Sequence, residues 1–505
     1  MNATAAPEVT TAEVKDRAQK GVFVLAARTA VSQGLRVVSA LCLSRLLFPG
    51  DYGLFGIVSY ATSLGVFLGD LGLSAALVHQ AREPSKDEAS TVFWCHQALT
   101  ALIVLAIIAL APSLVEGYAL GAQALPMIYV MALGLFLSSL RVLPLMALER
   151  KLAFPEIARA ELIENVAQVA ATIGLAALGC GAWSLVGGGL VRGVSGLFFI
   201  WRASPWRPQG SFRLDVVRRL LGFGLAFQLP PLVGTLAVGW GPLVVGQMLG
   251  KEAVGYFNWA AALAATPMMF STILNRVAFP AYCRMQDDPA GFAEYLRTSL
   301  RRLTAALCLF VPLLVLAVPV AVPLFFGERW VPAVPFVQWF SMEAILNTLV
   351  GLLGTAQNAG GRPWQRFAVA SGFGVVRWSL GLWLVSQFGY AGVGPVGLLA
   401  SLGEMWVTVW LVTRLNPALK GLVFEVVEPF LSVSFALLGI YLAVPLLLPE
   451  GLWGQGFLGV ALFLGVFLVR ERVPGVLPLV TELRTIAALI QARLRRAAPR
   501  VSAST

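Results

Sequence analysis

Long apolar runs alternate along this chain with gaps of two kinds, and lysine and arginine fill only one kind. Of the 37 Lys and Arg residues, 28 fall at the two ends of the chain and in every second gap, while Lys251 and Arg329 alone occupy the other gaps. The remaining seven, Arg28, Arg36, Arg45, Arg141, Arg192, Arg276 and Arg377, lie inside or at the edge of the apolar runs. Short loops rich in Lys and Arg stay cytoplasmic, so the alternation predicts a many-times-spanning membrane protein with both ends inside. Runs long enough to cross a hydrocarbon core lie near 21–47, 53–77, 91–112, 123–147, 159–178, 182–201, 221–247, 253–279, 302–326, 333–356, 366–387, 391–413, 426–448 and 452–470. The expected fold is an all-α polytopic membrane protein of about 14 transmembrane helices. At 58% hydrophobic and 12% charged residues, the chain has too little polar surface for a soluble globule of its size.

The gaps exclude several function classes. Outer gaps such as Pro49-Gly50-Asp51, Gly179-Cys180-Gly181 and Gly389-Tyr390-Ala391-Gly392 are too short for an extramembrane catalytic domain. No Gly-x-x-x-x-Gly-Lys-Ser/Thr loop occurs, so nothing binds ATP in the P-loop manner. Asp287 and Asp288 form a lone acidic pair in a cytoplasmic gap, read as a solvated loop before a Mg²⁺ site. Five scattered cysteines without Cys-x-x-Cys spacing argue against a disulfide framework or a zinc site. His79 and His96 are too few for a metal cluster; local packing is their first reading and proton coupling by His96 the second. No small-residue cleavage site precedes the first apolar run, which is expected to serve as its own insertion signal.

Two stretches recur. Leu47 to Phe55 is echoed by Leu249 to Phe257 at an offset of about 202 residues, and Gly181 to Val186 by Gly392 to Gly397 at about 211. The near-equal offsets predict two six-span lobes of the same orientation, related by an axis along the membrane normal. The expected domains are a cytoplasmic segment over 1–20, an N-lobe over 21–201, a basic Pro-rich interlobe linker over 202–220 and a C-lobe over 221–413. Two further spans follow over 414–470, and then a basic amphipathic tail over 471–505, suited to lie on an anionic inner leaflet. Pro230 and Pro231, followed by Gly234, Gly239, Gly241 and Pro242, make the seventh span the expected bending element.

Buried charge marks the candidate site. Helical spacing puts Thr29, Ser32, Gln33, Arg36 and Ser39 on one flank of span 1, with Arg28 beside it. Glu161, Asn165, Gln168 and Thr172 share a flank of span 5, Glu343, Asn347 and Gly351 of span 10, and Ser401, Glu404 and Thr408 of span 12. Hydrogen bonding between helices accounts for the Ser, Thr and Asn residues but not for charges, since a mid-span arginine costs about 2.5–3.5 kcal/mol on insertion scales. Arg45, Arg141 and Arg276 lie close enough to span ends to snorkel. Arg36, Arg192 and Arg377 lie near mid-span, where each is either an ion-pair partner or a cavity-facing ligand for an anionic substrate. All seven intramembrane cations are Arg, whose planar fork suits a phosphate or pyrophosphate. The substrate-binding candidates are Arg28, Arg36, Arg192, Arg276 and Arg377. Asp70, Glu161, Glu164, Glu343 and Glu404 either neutralise arginines or bind and release a coupling H⁺ or Na⁺; no other cofactor is expected.

The runs Leu46 to Phe55 and Ala147 to Phe154, and above all Ile273 to Asp288 (ILNRVAFPAYCRMQDD), resemble Wzx-type polysaccharide transporters. These oligosaccharide flippases belong to the multidrug, oligosaccharidyl-lipid and polysaccharide exporter superfamily, and the similarity covers roughly residues 15–470. The resemblance implies two six-helix lobes around a central cavity plus two C-terminal helices. It further implies a multi-pass protein of the bacterial inner membrane, not an enzyme, serving lipopolysaccharide or exopolysaccharide synthesis. Its cargo would be a polyprenyl-pyrophosphate-linked oligosaccharide flipped to the outer leaflet by alternating access. The implied partners are that lipid-linked oligosaccharide, membrane lipids and other polysaccharide-assembly membrane proteins, with no nucleic acid. The alternatives are a peptidoglycan-precursor flippase, a multidrug exporter of the same superfamily and, from another class, a membrane glycan polymerase or ligase. An exporter of cationic drugs should favour acidic cavity residues, and a polymerase needs a sizeable outer loop.

Overall fold

The structure of the protein is a computed structural model that describes residues 11–80, 82–151, 153–266, 268, 274, 278–279, 281–419, 421–447, 452–470, 479–485 and 488, with side chains given from Arg28 onward apart from scattered positions. All regular structure among the described residues is helical. In chain order the helices are α1 (Thr11–Leu46), α2 (Pro49–Asp70), α3 (Leu73–His79), α4 (Lys86–Gly117), α5 (Ala124–Ser139), α6 (Val142–Arg150), α7 (Phe154–Ala177), α8 (Trp183–Ala203) and α9 (Leu214–Val238). After them come α10 (Gly246–Leu249), α11 (Lys251–Ala264), α12 (Pro289–Ala321), α13 (Val334–Ala359), α14 (Pro363–Phe388), α15 (Tyr390–Leu415), α16 (Leu422–Leu447) and α17 (Leu452–Arg470). Helix lies over each expected span, although only part of the eighth is described. Among the described residues, nine helical stretches are long and apolar enough to cross a membrane. α1, α7, α16 and α17 fall outside that set; α7 carries its own polar stripe, and α16 and α17 contribute the shorter apolar stretches Glu428–Leu437 and Leu458–Val469. The protein is an all-α polytopic membrane protein.

Local chemistry sets the helix ends. Pro49 opens α2 where its missing N–H is harmless, and the Phe48 N–H donates to Asp51 Oδ2 at 2.9 Å. Ser85 and Glu88 form a capping box at the start of α4, with reciprocal bonds of 3.2 and 3.0 Å. Asp288 caps α12 by accepting from the Gly291 N–H at 2.9 Å, which gives half of the acidic pair a structural task.

The contacts divide the chain into two units, Met1–Gly255 and Tyr256–Thr505. The expected lobe boundary lay at 202–220, but α9 packs on α2, α3 and α4 and so counts with the first unit. Val216 and Leu220 of α9 are buried with Leu73 and Leu77 of α3, Val92 and Phe93 of α4, and Leu143 and Met146 of α6. The linker is docked as well. Gln209 N donates to Ser90 Oγ at 2.9 Å, Trp94 Nε1 to the Gln209 carbonyl at 2.7 Å, and Arg213 N to Thr91 Oγ1 at 3.1 Å. The Trp206 ring packs against Phe93 and Trp201. Arg219, just inside α9, joins Arg82 in pairing with Glu88.

Elsewhere in the first unit the repeated segments meet reciprocally. A Cβ on Gly53 would strike the Lys251 carbonyl, and a Cβ on Gly255 would strike the Pro49 carbonyl. Positions offset by about 202 residues thus exchange roles, which is the contact a twofold relation between the two segments produces.

In the second unit, α12 is the centre of two cores. Leu296, Leu300, Leu303, Leu307 and Val311 line one flank and pack on Ile345, Leu349 and Leu353 of α13 and Met405 and Val409 of α15. Cys308 on the opposite flank faces Val433, Leu437 and Ile440 of α16 and Phe463 of α17. Leu479, Val480 and Leu483 of the tail pack into this second core, and Glu482 lies 3.8 Å from Arg302. In that stretch, protein takes up the apolar face expected to rest on lipid. The rest of the 471–505 tail, apart from residue 488, lies outside the described residues.

Candidate functional site

The first unit gathers five charges and two amides along α7. Arg28 of α1 donates to Glu161 at 2.6 Å, and Asn165 Nδ2 to Ser32 Oγ at 3.1 Å, so the polar stripes of spans 1 and 5 face each other. One turn from Glu161, Glu164 is 1% exposed and serves two arginines. Arg141, at the start of α6, reaches Glu164 Oε2 at 2.6 Å and Oε1 at 3.4 Å. Arg192 of α8 approaches Glu164 Oε1 and Gln168 Oε1, each at 3.5 Å, with 47% of its side chain exposed. Arg141 was expected to snorkel, but burial beside a fully enclosed carboxylate makes it an ion-pair partner. Arg36 is exposed, and its Nη2 donates to Gln33 Oε1 at 2.6 Å within the same helix.

The second unit pairs its charges differently. Glu343 of α13 lies 2.9 Å from Arg377 of α14, with side chains 12% and 13% exposed. Arg377 Nη2 also donates to Ser401 Oγ at 2.7 Å and Asn347 Oδ1 at 3.1 Å, and Asn347 Nδ2 donates to Glu343 at 3.1 Å. Two neighbouring helices, α13 and α15, therefore hold one guanidinium. Nearby on α14, Arg366 donates to Glu404 of α15 at 2.8 Å. Sequence position had assigned Arg366 to a cytoplasmic gap, yet its side chain reaches into the bundle to neutralise Glu404.

Two glycines make room for these pairs. A Cβ on Gly196 of α8 would collide with Glu164 Oε2 and Arg141 Nη1, and one on Gly397 of α15 would collide with the Glu343 carboxylate. Small residues let membrane helices approach closely enough for such contacts. Neither glycine was singled out from the sequence, although their spacing of about 201 residues matches the repeat offset.

The structure thus brings Arg28, Arg192, Glu161 and Glu164 together in the first unit, and Arg377, Glu343 and, through Arg366, Glu404 into the network of the second. Asp70 joins neither; it lies at the end of α2, where its Oδ1 accepts from Ser74 Oγ at 2.7 Å. Arg276 lies outside the described residues. Counting partners separates the two networks. Among the described residues, Arg28, Arg141 and Arg192 pair directly with two carboxylates, Glu161 and Glu164, with Glu149 within electrostatic reach of Glu161, whereas Arg366 and Arg377 pair one to one with Glu404 and Glu343. In direct pairs the network sets three guanidinium groups on two carboxylates, and Arg192 is its most exposed member, while Arg36 stands apart on α1. An exposed guanidinium fork binds an anion bidentately without breaking the buried pair behind it.

The chain is similar along much of its length to proteins of surface-polysaccharide assembly. It is 26% identical to the lipopolysaccharide biosynthesis protein WzxC of Escherichia coli, over 68% of this chain and 70% of that one. The teichuronic acid biosynthesis protein TuaB of Bacillus subtilis is 24% identical over 72% and 76%, and the succinoglycan biosynthesis transport protein ExoT of Rhizobium meliloti 26% over 60% and 61%. Among solved structures, the inward closed conformation of the lipid II flippase MurJ superposes with a TM-score of 0.70 at 12% identity, covering 89% of this chain and 99% of that one. An inward-facing MATE transporter of the MOP superfamily follows at 0.59 and 16%, covering 79% and 99%. These two likenesses show the fold, and they agree with the fold that the resemblance implied. The family of polysaccharide biosynthesis proteins matches residues 42–335, more than half of the chain, and the chain belongs to that family.

Proposed function

We propose that this protein is a flippase that moves a polyprenyl-pyrophosphate-linked oligosaccharide from the cytoplasmic to the outer leaflet of the bacterial inner membrane by alternating access. The observation that carries the reading is the exposure of Arg192 in a network of three arginines on two directly paired carboxylates. Arg192 stands half-exposed beside a carboxylate that Arg141 already neutralises. A pyrophosphate in bidentate contact with the exposed part of Arg192 would meet a donor whose own carboxylate partner is held more closely by Arg141. Family membership supports the polysaccharide part of the reading, and the fold supports transport. The polyprenyl chain would stay in lipid while the glycan passes through the protein. Movement alone is required, with no bond made or broken.

The test is movement of a fluorescent polyprenyl-pyrophosphate oligosaccharide in proteoliposomes. Wild type should translocate it, and Arg192→Ala and Arg36→Ala should each reduce the rate at least tenfold while the variants remain folded. Equal rates in wild type and both variants would remove the anion site from the first unit. Absence of protein-dependent movement, accompanied by chain lengthening or transfer, would replace transport with enzymatic polymerisation. Competition between this cargo and a peptidoglycan precursor separates the two carriers with a shared pyrophosphate chemistry.

A further inference from the structure

A groove on an exposed flank of the first unit begins at a gap in one helix. Pro144 has no N–H to return to the Leu140 carbonyl four residues earlier, and α5 and α6 part across Leu140 and Arg141. Trp201 of α8 takes the carbonyl left over, its Nε1 donating to Leu140 at 3.0 Å. Val194, Leu197, Phe198 and Trp201 recur at spacings of three and four, which puts them on the flank of α8 opposite Arg192 and Gly196 and apart from the arginine network. With Leu140 they line an open groove of about 510 Å³, within the ~300–1,000 Å³ range of ligand-sized sites. Its walls are apolar as far as the end of α8, where Arg202 and Arg207 form the rim.

The two arginines differ in what holds them. Arg202 lies exposed in the last turn of α8, where its charge complements the helix dipole. Arg207 is held in place by its surroundings. Pro205 and Pro208 stiffen the chain on either side, and the linker is docked on α4 through Gln209. Arg207 Nη1 donates to the Ser204 and Trp206 carbonyls at 2.7 Å each, and its Cζ stands 5.5 Å from the centre of the Trp201 ring. A side chain that only sought water would extend away from the bundle, whereas this one is folded back over the ring at the head of the groove. Those partners are all neutral. None of the ion pairs among the described residues includes Arg202 or Arg207. Both carbonyl bonds use Nη1, so the exposed fork keeps Nε and Nη2 for an anion.

We propose that this groove binds one acidic phospholipid of the cytoplasmic leaflet, with its phosphate between Arg202 and Arg207 and one acyl chain along Leu140, Val194, Leu197 and Phe198. Charge complementarity selects the occupant. An apolar trough with two cations and no paired acid at its head matches a molecule that is hydrocarbon along its length and anionic at its end. A zwitterionic lipid brings its own cation to the phosphate and gains less from the same two forks. The leaflet follows from the basic linker, which the loop-charge rule puts in the cytoplasm. Bound there, the lipid would join α5, α8 and the docked linker at one point. The site does not depend on the movement of cargo.

Native mass spectrometry of the full-length protein, equilibrated in detergent with phosphatidylglycerol and phosphatidylcholine of the same acyl chains, reads the occupancy. One phosphatidylglycerol should be retained with at least tenfold preference over phosphatidylcholine. Arg202→Ala with Arg207→Ala should lower that preference at least fivefold, whereas Arg284→Ala with Arg362→Ala, which removes two exposed charges from the second unit, should leave it unchanged. Equal retention of the two lipids by wild type, an undiminished preference in the first double variant, or the same loss in the second overturns the proposal. Displacement of the bound lipid by an equimolar polyprenyl pyrophosphate also overturns it, and gives the groove to a carrier lipid instead. The unaltered protein supplies a further arm that no folding defect can blur. Phosphatidylglycerol carrying a diazirine on its acyl chain should label the stretch from Val194 to Trp201 at least fivefold more strongly than the exposed face of α14, and equal labelling of the two overturns the site.

Discussion

The two units solve one problem, arginine inside a lipid-embedded bundle, with opposite arrangements. In the first, one buried carboxylate sits between two guanidinium groups; in the second, one guanidinium sits among a carboxylate, an amide and a hydroxyl. Each arrangement places a glycine of the sixth or twelfth expected span directly against the acid. The difference lies in the remainder. The first network sets three guanidinium groups on two directly paired carboxylates and keeps Arg192 half-exposed, while the second pairs one to one and keeps Arg377 enclosed. An arginine within a membrane span is thus informative about ligands only after its partners have been counted.

The largest expected effect comes from removing the shared acid. Glu164→Gln leaves two cations facing each other and should destabilise the fold by about 3–5 kcal/mol, visible as a lowered unfolding midpoint in tryptophan fluorescence. Glu343→Gln should cost less, about 1–3 kcal/mol, because Asn347 and Ser401 still serve Arg377. An equal loss in both variants would erase the distinction between the networks. Gly196→Ala and Gly397→Ala should each destabilise by about 1–3 kcal/mol through overpacking at the acid, measured in the same way. Arg192→Ala should change stability by less than about 0.5 kcal/mol while reducing cargo movement, whereas Arg377→Ala should be felt chiefly as unfolding. Asp215→Asn marks the bottom of the scale. Its hydrogen bond raises the Arg213 guanidinium above its ordinary range, but both groups are fully exposed, and no change in the unfolding midpoint is expected.

The helices and their polytopic character were legible because run length acts on short sequence windows and needs no tertiary information. The flanks of spans 1 and 5 were legible for the same reason, since helical phase alone put Ser32 and Asn165 where they meet. Pairing was not legible. Arg141 and Arg366 stand near span ends, and a long side chain there reaches either water or a buried acid; only the position of a neighbouring helix decides which. Gly196 and Gly397 were overlooked because each is one glycine among 50, distinguished only by what it faces. The docked linker was hidden too. Its proline and arginine composition reads as a free connection, while its attachment to α4 depends mainly on backbone groups of Gln209 and Arg213.

That attachment has a mechanical consequence for α9. From Gln209 to Gly224 the helix and its approach are clamped to α3 and α4, by hydrogen bonds to Ser90, Trp94 and Thr91, by Glu88 against Arg219, and by the glycine contact at Gly72. Pro230 and Pro231 then remove two successive rungs of the helical hydrogen-bond ladder. Past them the chain is held again: the Thr235 carbonyl accepts from Tyr60 Oη at 3.4 Å, and Trp240, Pro242, Val244 and Val245 are buried. α9 is therefore held at both ends and interrupted at mid-length. The exposed stretch around Pro230 and Pro231 is the part able to bend during a transport cycle, and a crosslink across either end should spare a motion that one across the middle would stop.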